Sequence, residues 1–193
     1  MTRKRSDTKE RILDTATNLF SSHGFSGTSI DDILSAVGIT KGAFYHYFKG
    51  KEALCESVID IAVSRYHELA DSIQTQPADG QLLSQWLGLL LEKQSSGKWL
   101  YCRLLTRLSI ESGELNAAMQ NKLQTFWLWY QNLFETMIRR MGQSQPEKNI
   151  DPAASARLLM AAHFGALWLD RCAPAKEDLT SVCETLLGYI HRS

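Results

Sequence analysis

The chain has 193 residues, 44% of them apolar, with 21 basic and 21 acidic side chains, which excludes intrinsic disorder and allows one fold, or a small module joined to a larger one, with a substantial core. Neutrality conceals a division, because residues 1–51 carry a net +3 and the remainder a net −3, and a basic head on an acidic body turns the head toward a polyanion. The longest apolar run, Leu158–Leu169, is broken by His163 and Gly165 and too short to span a bilayer, and Cys55, Cys102, Cys172 and Cys183 form no Cys-x-x-Cys or Cys/His cluster. With no secretory stretch at the start, these features give the expectation of a cytoplasmic protein with free thiols, no metal, no cofactor and no membrane partner.

Helical periodicity runs through nearly the whole chain and no stretch alternates as a bounded strand would, so the fold class is all-α with about nine helices. In the first helix, about Thr8 to Ser22, the residues Ile12, Leu13, Ala16, Leu19 and Phe20 share one face, and Gly24 supplies the stop. Thr28 is expected to cap a second helix, with Asp31 and Asp32 at the positive end of its dipole and Ile30, Ile33 and Leu34 turned inward. Gly38 offers the positive φ of a sharp turn, and Thr40 caps a short third helix, about Lys41 to Tyr47. A fourth helix runs from Lys51 to about Ile73, and Gln76 to Gly80 breaks it. Weaker signals place helices near Gln81–Gln94, Lys98–Glu111, Glu114–Met141, Asp151–Cys172 and Lys176–His191, with a loop at Gly142–Ile150. The natural division is a head, residues 6–66, whose helix-turn-helix occupies about 29–48, and a helical body, residues 67–193.

Three segments of the head keep a fixed order and spacing. They are Thr8-Lys9-Glu10-Arg11-Ile12-Leu13-Asp14-Thr15-Ala16-x-x-Leu19-Phe20, then Gly24-Phe25-x-x-Thr28-Ser29-Ile30, then Gly38-Ile39-Thr40-Lys41-Gly42-x-Phe44-Tyr45-His46-Tyr47-Phe48-x-x-Lys51-Glu52-x-Leu54. Together they closely resemble the DNA-binding domain of the TetR family, departing from its usual Ala at Leu34 and Val37. The resemblance implies a DNA-binding transcriptional regulator rather than an enzyme, with double-stranded operator DNA and a small-molecule effector as partners. It also implies a homodimer, most simply a repressor released from a palindromic operator when a mostly apolar ligand shifts the fourth helix.

The residues fit that implication on their own chemistry. A helix that enters a major groove about 12 Å wide needs leading side chains that are small or able to reach base edges. Thr40, Lys41 and Gly42 meet this demand: Lys41 can reach guanine acceptors or a phosphate, and Gly42 lets backbone come close. Tyr45, His46 and Lys49 are candidate phosphate contacts, whereas Phe44, Tyr47 and Phe48 are assigned to the core. Thr28 and Lys51, each at a helix N-terminus, are expected to hold a phosphate, and Arg3, Lys4 and Arg5 read as a flexible basic arm.

One short recognition helix reads only a few base pairs, so the body is expected to pair two copies. Leu158–Leu169 is apolar nearly all round, and with the last helix it resembles the family's four-helix dimer interface, formed here by Leu158, Ala162, Gly165, Ala166, Leu169, Leu186 and Ile190. The aromatic density of the body suggests an apolar effector pocket drawing on Trp99, Cys102, Trp127, Tyr130, His163, Phe164 and Trp168. Arg103, Arg107 and Glu111 read as a solvated face with an ion pair, and Cys102, beside Arg103, as a candidate reactive thiol. Alternatives are a body that docks a protein partner, or a thiol-based electrophile sensor. No nucleophile–base pair, Glu-x-x-His motif or Gly-rich phosphate loop points to catalysis.

Overall fold

The computed structural model describes residues 2–74, 82–95, 99–144 and 151–172, together with Thr185 and Gly188; of residues 2–6, 74, 91, 94–95, 142–144 and 166–172 it describes the backbone alone. Among the described residues the structure is all-helical: α1 Thr2–His23, α2 Ile30–Val37, α3 Lys41–Tyr47, α4 Lys51–Gln74, α5 Leu82–Ser95, α6 Tyr101–Ile110, α7 Ala117–Ser144 and α8 Pro152–Cys172, with a 3₁₀ turn at Ser112–Glu114. The helix expected at about Lys176–His191 lies outside the described residues.

The chain forms two compact units, one of Met1–Tyr66 with Trp99–Thr125, the other of His67–Lys98 with Phe126–Ser193. The cut after Tyr66 coincides with the expected end of the head, but the head's unit also takes in α6, the 3₁₀ turn and the start of α7. Within it α1 packs against both α6 and α2. Ile12, Ala16 and Phe20, one turn apart along α1, are fully buried, as are Ile33, Phe44, Leu54 and Val58 from the next three helices. Leu104, Leu105 and Leu108 bring the buried face of α6 into the same unit.

Helix starts and stops follow from local chemistry, with two corrections. Helix α1 begins at Thr2, not near Thr8, so Arg3, Lys4 and Arg5 belong to a helix rather than a flexible arm. Lys and Arg are good helix formers, and no Gly or Pro breaks the run before Thr8. The cap of α2 is Ser29, not Thr28: its hydroxyl accepts the Asp32 amide, while the Asp32 carboxylate accepts the Ser29 amide, a reciprocal capping box. Thr28 is buried, and its hydroxyl donates to the Gly24 carbonyl at 2.7 Å. Two adjacent hydroxyl residues compete for one cap, and the β-branched one goes inside. Gly38 closes α2 at φ 73°, with its amide on the Leu34 carbonyl at 2.9 Å.

The second unit buries Trp86 and Leu90 of α5, Phe126, Tyr130 and Phe134 of α7, and Leu159 of α8. Because Phe20 is wholly buried in the first unit, Phe20→Ala is expected to lower unfolding free energy by about 3–5 kcal/mol. Chemical denaturation checks this, and a loss under about 1 kcal/mol would mean that the α1 face is not core.

Candidate functional site

Helix α3 is short, and its presentation depends on its ends. Thr40 caps it, with its hydroxyl accepting the Ala43 amide at 3.3 Å. Phe44, fully buried, and Phe48, 5% exposed, anchor it, with their ring centroids 5.9 Å apart. The opposite side therefore faces outward: Thr40, Lys41, Gly42 and His46 are exposed, and Tyr45 remains 47% exposed although its ring meets Phe44 edge-on at 5.4 Å. Nothing lies within 4 Å of where a Gly42 side chain would begin. Glycine inside a helix costs about 1 kcal/mol relative to alanine, and no crowding within the protein demands it here; the bare backbone leaves clearance for an external body. Lys49, just beyond the helix, is exposed as well.

Two residues expected on this surface make hydrogen bonds within the head. Thr28 is buried and bonded back to Gly24. The Lys51 ammonium donates to the carbonyls of Phe25 at 2.8 Å and Thr28 at 3.0 Å and lies 4.1 Å from the centre of the Phe25 ring. Arg11 acts similarly, donating to the carbonyl of Val37, the last residue of α2. A helix C-terminus carries carbonyls without intrahelical partners and a partial negative charge, so a guanidinium there joins α1 to α2. Part of the head's basic charge therefore holds the head together.

The residues that sequence reasoning assigned to a solvated face also connect with the head. Arg107 and Glu111 do form the expected ion pair, Nε to Oε1 at 2.8 Å. Yet the other Glu111 oxygen accepts the amides of Phe25 at 2.8 Å and Ser26 at 3.3 Å, and Arg107 donates to the His23 carbonyl at 3.4 Å. The four-residue spacing signals a pair, but no local pattern reveals a partner more than eighty residues away.

In the second unit, α7 and α8 bring Trp127, Tyr130, His163 and Phe164 into one aromatic cluster. Trp127 meets Phe164 edge-on at 4.8 Å, Tyr130 lies 6.4 Å from Phe164, and His163 meets Phe164 at 5.3 Å. Burial pushes the His163 imidazole down to about 4, so it is neutral at physiological pH. Trp99 and Cys102, expected in the same pocket, belong to the other unit; there Trp99 packs edge-on against Tyr66 at 5.5 Å and Tyr101 at 5.0 Å. Cys102 is buried, and desolvation raises its thiol to about 12. A neighbouring Arg103 does not offset that burial, so the expected thiolate character is absent at neutral pH. The Trp168 side chain lies outside the described residues.

Over residues 154–165 helix α8 is buried along Ala156, Leu159 and His163 and exposed along Ala154, Leu158, Ala161 and Gly165. Leu158 is 57% exposed, and Ala162 is half-buried beside this stripe. The side chains of Ala166 and Leu169, and all of Leu186 and Ile190, lie outside the described residues.

Comparison with known proteins agrees with this architecture. Residues 12–58 match the model of the tetR family of bacterial regulatory proteins. Residues 12–58 are thus similar to the tetR-type regulatory segment. The HTH-type transcriptional regulator YerO of Bacillus subtilis is 36% identical over 102 residues, a stretch covering 51% of this chain and 35% of that regulator. The chain thus spans about a third of that relative's length. A TetR-family regulator from Agrobacterium tumefaciens superposes with a TM-score of 0.85 over 96% of this chain and 98% of that one, at 16% identity. AibR, solved in complex with isovaleryl coenzyme A and operator DNA, superposes with a TM-score of 0.76 over 94% and 97% at 19% identity. At such identities the likeness is one of fold.

Two predictions follow from the site's electrostatics. Because the Lys51 ammonium already engages two carbonyls, Lys51→Met is expected to cost about 1–2 kcal/mol of stability while leaving the salt dependence of binding to duplex DNA unchanged; a slope reduced by about one would put the ammonium on a phosphate. His163 carries a folded-state value near 4 against an ordinary 6.5. The unfolded chain therefore binds the extra proton between those values, and stability falls as pH drops through that window. Between pH 7.5 and 5 this linkage amounts to about 2 kcal/mol. His163→Gln is expected to remove that part of the acid sensitivity, as read by denaturant titration at the two pH values.

Proposed function

We propose that the chain is a homodimeric transcriptional repressor that binds a palindromic operator through α3 and is released by a small, mostly apolar effector. In this reading the head, residues 6–66, reads DNA, and residues 67–193 supply pairing and effector binding. One observation carries it: α3 is anchored by Phe44 and Phe48 and turns Thr40, Lys41, Gly42, Tyr45 and His46 outward, with open space above Gly42. Those residue types suit a major groove, where Lys41 can reach base acceptors or phosphate and the tyrosine and histidine can bond the backbone. Lys49 adds a cation at the same edge. Thr28 and Lys51 are left out of the contact set because both are engaged inside the head.

Pairing is assigned to α8, whose outward stripe of Ala154, Leu158, Ala161 and Gly165 combines one large apolar side chain with small residues that permit close helix approach. The effector is assigned to the cluster of Trp127, Tyr130, His163 and Phe164. A neutral buried imidazole can donate or accept one hydrogen bond without calling for a charged ligand, and the rings supply flat apolar contact. The AibR structure, in complex with isovaleryl coenzyme A and operator DNA, supports a reading in which one chain of this fold binds both DNA and a second, non-DNA ligand.

The test begins with selection of duplexes from a random-sequence pool by the purified wild-type chain. Enrichment of an inverted repeat is expected, bound by two copies; a unique non-repeated site would overturn the dimeric reading. Leu158→Glu should sediment as a monomer and lose most affinity for the selected duplex. Lys41→Ala should weaken binding and relax preference at one position of each half-site by about 1–3 kcal/mol. Uniform weakening across operator variants would make Lys41 a phosphate contact instead.

A further inference from the structure

We infer that Glu111 is a positioning residue for the DNA reader: its carboxylate, held by Arg107, fixes the turn between α1 and α2 and so sets the pose of α2 and α3. The inference rests on the reading of α3 as the DNA-contacting helix, and it makes the reader a discontinuous unit that residues 99–125 complete.

The turn from Gly24 to Thr28 leaves backbone groups outside any helix. Glu111 takes the amides of Phe25 and Ser26 on one oxygen, while its other oxygen is oriented by Arg107, which itself reaches the His23 carbonyl. Lys51 takes the carbonyls of Phe25 and Thr28. An anion on the donors and a cation on the acceptors leave the turn little freedom, and charge-assisted bonds of this kind are the stronger sort. The carboxylate also fits only because residue 24 is glycine: a β-carbon there would lie 1.8 Å from Glu111 Oε1, and the backbone stands at φ 81°. Thr28 leads straight into the Ser29 cap of α2, so a shift of the turn moves the helix-turn-helix as a body.

Electrostatics alone predicts the opposite outcome for a Glu111 substitution. Removing a negative charge from a DNA-binding unit should strengthen attraction to any duplex. Loss of positioning should instead weaken binding to the preferred duplex and leave binding to others unharmed.

The experiment uses the full chain as wild type, Glu111→Gln and Glu111→Ala. The probes are a duplex selected from a random pool by the wild-type chain and an unselected duplex, and amide hydrogen exchange at Phe25 and Ser26 is read without DNA. Glu111→Ala is expected to speed exchange at both amides and to lose about tenfold in affinity for the selected duplex, with the unselected duplex bound as well as before or better and with the same salt slope. Glu111→Gln keeps a carbonyl acceptor and should fall between. A merely destabilised protein would instead lose both duplexes in proportion to its unfolded fraction. Should the Ala variant fail to fold, Arg107→Ala, which removes the group orienting the carboxylate, is expected to give the same pattern at smaller size. Wild-type or tighter binding of the selected duplex by Glu111→Ala, or unaltered exchange at the two amides, would overturn the inference. A wild-type chain that enriches no duplex refutes the DNA reading itself, and this inference with it, before any variant is compared.

Discussion

In the turn between α1 and α2, side chains bond the amides of Phe25 and Ser26 and the carbonyls of Phe25 and Thr28, and this turn leads directly into α2. Glu111 accepts from the donors and Lys51 donates to the acceptors. Unpaired backbone groups in a partly buried turn cost as much as lost hydrogen bonds, so the choice of partners fixes the turn. Arg11 does the same at the far end of α2, through the Val37 carbonyl. Ionic side chains here act as hydrogen-bond partners for backbone, a role with better-defined geometry than an ion pair between two flexible chains at the surface.

That use of charge changes how the basic head is understood. Its net +3 remains a reason for attraction to a polyanion, yet Lys51 and Arg11 also donate to backbone carbonyls of the head, while Lys41 and Lys49 stand exposed around the tip of α3. Attraction and positioning thus fall to different residues. Arg3, Lys4 and Arg5, carried on the first turns of α1, add cationic charge on a helix rather than on a loose strand.

Burial dictates the chemistry of Cys55, Cys102 and His163. Cys55 and Cys102 are both raised to about 12 chiefly by desolvation, and His163 is lowered to about 4 for the same reason. Each is held in its neutral form, which suits two helical cores and an aromatic cluster better than redox or acid–base chemistry. The imidazole beside Phe164 is then a neutral polar point in apolar surroundings.

The sequence by itself determined the all-helical class and the order of the first helices. Those follow from patterns within a few residues: the one-sided spacing of Ile12, Ala16 and Phe20, the Gly38 turn, the Thr40 cap, and the alternation that buries Phe44 and exposes Tyr45. Local rules were ambiguous where two neighbours could serve, so the cap of α2 passed from Thr28 to Ser29, and silent where nothing stops a helix, so α1 ran on to Thr2. Only the tertiary structure decided that Lys51 and Glu111 hold the same turn, that Trp99 and Cys102 belong to the unit of the head and Trp127, Tyr130, His163 and Phe164 to the second unit, and that α8 leaves Leu158 exposed. Periodicity and capping depend on near neighbours along the chain, whereas the partner of a charged side chain is chosen by which distant backbone groups the fold leaves unsatisfied within its reach.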